Sequence, residues 1–130
     1  MRKILMTILS LLMLSVPAKA NLKQFMLIRE EAVSGDAKAQ NKLGVYYQLG
    51  LSVEQSDTEA VKWFHMAAEQ GEGEAQFNLG ESYEYGRGVP VDKREALSWY
   101  RRSCDNGCRC GCRSYRKLNR ELEKQNLRLE

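Results

Sequence analysis

The sequence predicts an all-α fold, a right-handed α-solenoid of stacked helical hairpins, on three observations. A self-similarity of 36 residues runs through the chain after Gly35. Apolar residues inside each unit recur at helical spacing. Capping residues and glycines fall at fixed places between the helices, as they do where a short supersecondary unit is repeated.

The elements follow in order. Met1-Arg2-Lys3 is a basic start, and Ile4 to Val16 is an apolar run broken only by Thr7, Ser10 and Ser15. Pro17-Ala18-Lys19-Ala20 supplies small residues at a cleavage site, so residues 1–20 read as a signal peptide cut between Ala20 and Asn21. The apolar run is shorter than the roughly 18 residues of a spanning helix. Residues 21–35 form a capping helix carrying Phe25, Leu27, Ile28 and Ala32. Residues 36–71 and 72–107 are two full repeats. A shift of 36 carries Ala39-Gln40 to Ala75-Gln76, Leu43-Gly44 to Leu79-Gly80, Tyr47 to Tyr83, Trp63 to Trp99 and Gly71 to Gly107. Eleven of 36 positions match, most of them Ala, Gly, Leu or aromatic.

Within a repeat, Ala39, Leu43 and Tyr47 share one face of a first helix, and Gly44 admits a neighbouring helix closely. The second helix opens on Ser56-Asp57-Thr58-Glu59, a capping box, and its counterpart opens on Asp92-Lys93-Arg94-Glu95. Ala60, Trp63, Phe64 and Ala67 form its buried stripe, matched by Ala96, Trp99, Tyr100 and Ser103. Residues 108–130 are a long capping helix with Tyr115, Leu118, Leu122 and Leu129 on one face. Terminal caps are what a solenoid needs, because each unit otherwise leaves an apolar face in water.

Three segments resemble the Sel1-like repeat family: Ala75-Gln76-Phe77-Asn78-Leu79-Gly80, Tyr83-Glu84-Tyr85-Gly86-Arg87-Gly88-Val89-Pro90, and Glu95-Ala96-Leu97-Ser98-Trp99-Tyr100. The first repeat departs at Leu51-Ser52-Val53-Glu54-Gln55, which lacks the Arg-Gly and Pro of that loop. The resemblance covers residues 24–118 and implies a scaffold that binds other proteins.

The charge of the chain, formally +3, belongs to the leader. Without Arg2, Lys3 and Lys19 the mature chain holds 17 basic and 17 acidic residues. Residues 21–100 carry 8 basic and 13 acidic side chains, and residues 101–130 carry 9 and 4, so an acidic body ends in a basic helix. Export and neutrality both argue against nucleic acid as a partner.

All four cysteines lie in Cys104-Asp105-Asn106-Gly107-Cys108-Arg109-Cys110-Gly111-Cys112, across the turn between the last two helices. Antiparallel helix ends joined by such a turn can bring Cys104 and Cys112 within bonding reach. Four cysteines allow three connectivities, and Cys108 and Cys110 are left open between a mutual bridge, other pairing and free thiols. Structural disulfides fit an exported chain best. A four-cysteine zinc site lacks the usual Cys-x2-Cys spacing, and a redox pair flanked by Arg109 and Arg113 is the third reading. Cysteine-rich members of the resembled family carry a Cys pair spaced like Cys104 and Cys112, with Gly at the places of Gly107 and Gly111.

No catalytic constellation emerges, and the chain reads as a non-enzyme with no metal and no cofactor. His65 is the only histidine, and its repeat equivalents are Arg29 and Arg101, so the position faces water. Glu30 and Glu31, or Glu72 and Glu74, read as solvated acids, and Gly86-Arg87-Gly88 lacks the close of a phosphate loop.

The first helix of each repeat lines the concave side of a solenoid. The groove-facing positions are then Asn41, Val45 and Gln48 in the first unit, and Glu74, Phe77, Glu81 and Glu84 in the second. Arg113 and Lys117 follow in the terminal helix. The expected function is a periplasmic or secreted protein-binding module with no stable membrane insertion, and the resemblance to small exported Sel1-like proteins implies either a cell-envelope adaptor or an immunity protein that neutralises a delivered toxin. The alternative, from cysteine-rich relatives, is a β-lactam-binding or hydrolysing protein or a thiol–disulfide enzyme; no Ser-x-x-Lys motif accompanies the cysteines.

Overall fold

The structure, a computed structural model, describes residues 21–129, less the side chains of Leu127 and Leu129. The expected signal peptide and its cleavage site lie outside the described residues. Six helices account for most of those described. Helix α1 covers 21–33. It is followed by α2 (Ala37–Leu49), α3 (Asp57–Glu69), α4 (Gly73–Tyr85), α5 (Lys93–Asp105) and α6 (Arg109–Leu129).

Each boundary has a local cause. The Asp36 carboxylate accepts the Ala39 amide and starts α2. The Ser56 hydroxyl accepts from Glu59 and starts α3, the Glu72 carboxylate does the same for Ala75 of α4, and Asp92 caps α5 on the amides of Arg94 and Glu95. These bonds satisfy amides that a helix start leaves without partners. Gly50 and Gly86 end α2 and α4 at φ of 67° and 68°, a left-handed conformation that residues with a Cβ adopt only at a cost.

The helices pair as α2–α3 and α4–α5, and α6 packs on α5. Helices α2, α4 and α6 also adjoin in succession along one side. The core is accordingly a string of clusters, as a solenoid requires. Phe25, Ile28, Ala32, Ala39 and Leu43 make the first, with Trp63 half-buried against them. Ala60, Phe64, Ala67, Ala75, Leu79 and Trp99 belong to the second. Ala96, Tyr100 and Leu118 make the third, flanked by Phe77, Tyr115 and Leu122. Leu27, in the register of Trp63 and Trp99, is 47% exposed, because no described helix precedes α1 to cover it.

Close helix approach rests on glycines: a Cβ on Gly111 of α6 would collide with the Ser103 side chain of α5, and two further sites share the repeat register. A Cβ on Gly44 would stand 2.5 Å from the Phe64 ring, and one on Gly80 would stand 2.6 Å from the Tyr100 ring. The same register in α6 holds Arg116, which is exposed. A helix therefore cannot dock on α6 as α3 docks on α2.

A second repeated device ties the hairpins together. Gln40 Nε2 donates to the Ala32 carbonyl at 3.2 Å, and Gln76 Nε2 donates to the Ala68 carbonyl at 3.1 Å. Each glutamine oxygen then accepts from the next unit, Gln40 from Gln70 and Gln76 from Asn106. The nitrogen and the oxygen of each buried amide are thus both hydrogen-bonded, as buried polar groups usually are. At the third junction Cys104 and Cys112 occupy the places of Ala68 and Gln76, and a disulfide spans the same eight-residue gap.

Candidate protein-binding face

Helices α2, α4 and α6 present a common face, and the register of 36 decides which side chains reach it. The residues expected to line a groove do not all reach solvent. Asn41 is buried between α2 and α4, where it donates to Glu74 at 3.5 Å and accepts from Asn78 at 2.8 Å. Val45 is half-buried and packs on the second core cluster. Gln48 is half-buried and Glu74 is exposed. Phe77 is half-buried, with its ring 5.8 Å from that of Tyr100, so it supports α5 while showing part of its surface.

Glu81 and Glu84, one turn apart on α4, form an acidic pair, both half-buried. Glu84 accepts from the Tyr100 hydroxyl, which joins the face to the core behind it. Burial pushes the Glu81 carboxyl up; Arg87 nearby opposes this, and Glu84 adds to it. Arg87 reaches Glu81 at 3.6 Å and stacks over the Tyr85 ring, while its Nε is buried with no acceptor. Burial, together with the bond to Glu84, raises the Tyr100 hydroxyl well above the ordinary range, so it stays a donor.

Arg113 and Lys117 are exposed on α6, and Lys117 stands with Arg120, Glu121 and Lys124 around a shallow depression. The face thus grades from a neutral amide layer at Asn41 and Asn78, through the Glu81–Glu84 acids, to a basic helix. Among the described residues no cluster of His, Cys, Asp or Glu could hold a metal ion. Sequence reasoning missed Asn78 and Arg87 as parts of this face. Asn78 corresponds to Lys42, so repetition carried no signal for it, and Arg87 lies in a loop whose counterpart has Leu51-Ser52-Val53 instead.

At the other end of α4, the turn into α6 carries two disulfides, Cys104–Cys112 and Cys108–Cys110, with no cysteine left free. Such bridges persist in an oxidising compartment. No helix among the described residues is long and apolar enough to cross a membrane. His65 is exposed on α3, edge-on to Trp99 at 5.8 Å.

Helical hairpins stacked at a fixed register, with glycine at each close approach and a charged face along the first helices, define a helical-repeat scaffold protein. The Sel1 repeat model matches residues 37–72 and 73–108, and the chain belongs to that family, whose repeats are generally protein-interaction modules. Among solved structures, a Sel1 repeat protein from Oxalobacter formigenes is 35% identical with a TM-score of 0.63, the match covering 64% of this chain and 63% of that one. A protective antigen of uropathogenic Escherichia coli strains, displaying an SLR fold, is also 35% identical with a TM-score of 0.68. That match covers 70% of this chain but only 20% of the antigen. Cysteine-rich protein B of Helicobacter pylori shares the fold at 20% identity, with a TM-score of 0.67 over 69% of this chain and 68% of that one. The chain therefore spans less than two thirds of the length of the first two. No curated protein matches the sequence.

Proposed function

We propose that this chain is an exported adaptor that binds another protein through the α2–α4–α6 face. The observation that carries the proposal is Glu81, a carboxylate that burial and Glu84 leave under-compensated while its neighbour Arg87 has an idle buried donor. A polar partner segment bearing a cation for Glu81 and Glu84, and an anion for Arg113 and Lys117, would compensate the Glu81 carboxylate. Aromatic surface at Phe77 and Tyr85 supplies apolar contact beside the charges. The partner belongs to the same oxidising compartment as the disulfides, reached by cleavage after Ala20. An envelope complex and a delivered toxin both fit, and they differ in outcome, since an immunity protein abolishes an enzyme activity on binding.

The test is crosslinking capture from cell envelopes with the tagged chain, a Glu81→Lys/Lys117→Glu variant, and a Lys62→Gln control on exposed α3. Loss of a specific partner in the double variant alone, with helical circular dichroism unchanged, supports the face. Equal capture by all three chains places the partner elsewhere, and no specific capture by the parent chain removes the binding proposal.

A further inference from the structure

The two disulfides differ in what they join. Cys104–Cys112 links α5 to α6, across the gap that Gln40 and Gln76 bridge by hydrogen bonds at the earlier junctions. Cys108–Cys110 links the residue before α6 to that helix's own first turn. It ties no element to another and closes a ring through Arg109 alone, which removes little denatured-state freedom. A structural role therefore accounts for the first bridge and not for the second.

The repeat register indicates what Cys108 does there. The equivalent residues are Asp36 and Glu72, and in both the carboxylate accepts the amide three residues on: Ala39 at 2.7 Å and Ala75 at 2.6 Å. Twice, then, this fold places an anion at that point, against helix-start amides. At the third junction the position is Cys108, and the corresponding amide is that of Gly111. A Cys108 thiolate would replace those carboxylates as the capping anion, favoured by the start of a 21-residue helix and by Arg109 beside it. Glu72 and Glu74 line the same cleft with the opposite effect, but Glu72 is turned into its own cap and Glu74 towards Asn41. Asp105 on α5 is exposed, and Arg113 follows one turn along α6.

We infer that Cys108–Cys110 is an exchangeable disulfide that oxidises thiols of client proteins, with Cys108 as the leaving thiolate. Cys108 is backed by α4, where a Cβ on Gly73 would stand 3.4 Å from Cys108 Cβ, and attack at Cys110 Sγ is the direction that releases Cys108, the better leaving thiolate. A client thiolate attacks Cys110 Sγ. The Cys108–Cys110 bond breaks, and its electron pair leaves on Cys108 Sγ as the capped thiolate. A second client thiolate then attacks the client sulfur of the mixed disulfide. Cys110 leaves as a thiolate and takes a proton. The client dithiol becomes a disulfide and the Cys108–Cys110 pair becomes a dithiol, which a small disulfide such as oxidised glutathione returns to its starting state by the same exchange. The site lies about two turns of α4 away from Glu81, and it stands or falls separately from the docking face.

The experiment takes the chain produced from the full 130-residue sequence and recovered from the cell envelope. It is equilibrated with graded ratios of reduced to oxidised glutathione at pH 7, quenched with acid and alkylated. Tryptic cleavage after Arg102, Arg109 and Arg113 puts Cys104 and Cys108 on one peptide and Cys110 and Cys112 on the next, so mass spectrometry reads each cysteine. Cys108 and Cys110 are expected to become alkylated at ratios at least tenfold more oxidising than those that open Cys104–Cys112. Simultaneous opening, or earlier opening of Cys104–Cys112, overturns the inference. A Cys110→Ser chain then leaves Cys108 as the free thiol, and its alkylation rate against pH should have a midpoint at least about one unit below the ordinary thiol value of about 8.5. A midpoint at or above that value also overturns it. The reciprocal Cys108→Ser chain, with Cys110 free, should titrate at least about one unit higher than Cys108, and equal midpoints would remove the leaving-group assignment.

Discussion

Gly80→Ala tests whether the repeat's glycines are there for helix approach. By itself the exchange favours the helix by about 1 kcal/mol, since Gly is the poorer helix former. Against that, the new methyl would stand 2.6 Å from Tyr100 Cδ1 and Cε1 and 3.3 Å from Cγ. The ring cannot retreat easily. Tyr100 is 1% exposed, and its hydroxyl is held by Glu84. Forcing a methyl into a packed site costs about 1–3 kcal/mol, and a fixed ring argues for the upper half of that range. The net expectation is destabilisation by about 1–2 kcal/mol, which lowers a urea midpoint by about 1 M for a chain of this size. Gly73→Ala is the matched comparison, because the nearest atoms to its Cβ would be Asn106 O and Cys108 Cβ at 3.4 Å and Ser103 O at 3.6 Å, ordinary van der Waals contacts. That variant should be neutral or more stable, by up to about 1 kcal/mol, as Gly-to-Ala changes are at unstrained helical sites. Urea unfolding followed by circular dichroism at 222 nm reads both. A Gly80→Ala midpoint equal to or above the parent's would refute the close-approach argument.

Two further outcomes follow from the junctions and the face. Cys104→Ala/Cys112→Ala opens a bridge with a sequence separation of 8 and should cost about 2–3 kcal/mol by loop-closure entropy; a loss under about 0.5 kcal/mol on chemical denaturation would show that α6 is held by packing alone. Glu81→Gln should raise the thermal midpoint at pH 7. Burial raises this acid's pKa on folding, so the native chain binds the proton more readily, and its stability falls as pH rises from the ordinary carboxylate range through the raised value. The gap between parent and variant should close by about pH 3, where both states are protonated, and a gap that persists there would mean that its cause is not this titration.

The periodicity made the repeats legible because packing residues must recur where a packing geometry recurs. Gly44 and Gly80 and the capping residues Ser56 and Asp92 could each be placed from spacing alone, and they stand where that reasoning put them. The Gln40 and Gln76 bonds were visible as a repeated Ala-Gln pair, yet their meaning was not, since buried amides are recognised by partners that lie 30 residues away. The face was the least legible part. Helical spacing says which side of its own helix a residue occupies, but not how close the next hairpin comes. Asn41 was therefore read as facing a groove, while α4 closes over it and Asn78 takes its oxygen. Phe77 likewise leans on Tyr100, a contact between helices that no single-helix pattern contains.

Arg116 bears on how such a chain can change length. Gene duplication lengthens a repeat array most simply by adding whole units, and a unit can follow only where its predecessor leaves room for the incoming aromatic. The sites of Gly44 and Gly80 leave that room, and the site of Arg116 does not. A copied hairpin inserted between α2 and α5 would find glycine partners at both of its seams. One appended beyond α6 would meet a guanidinium, so growth in that direction would require this codon to change first.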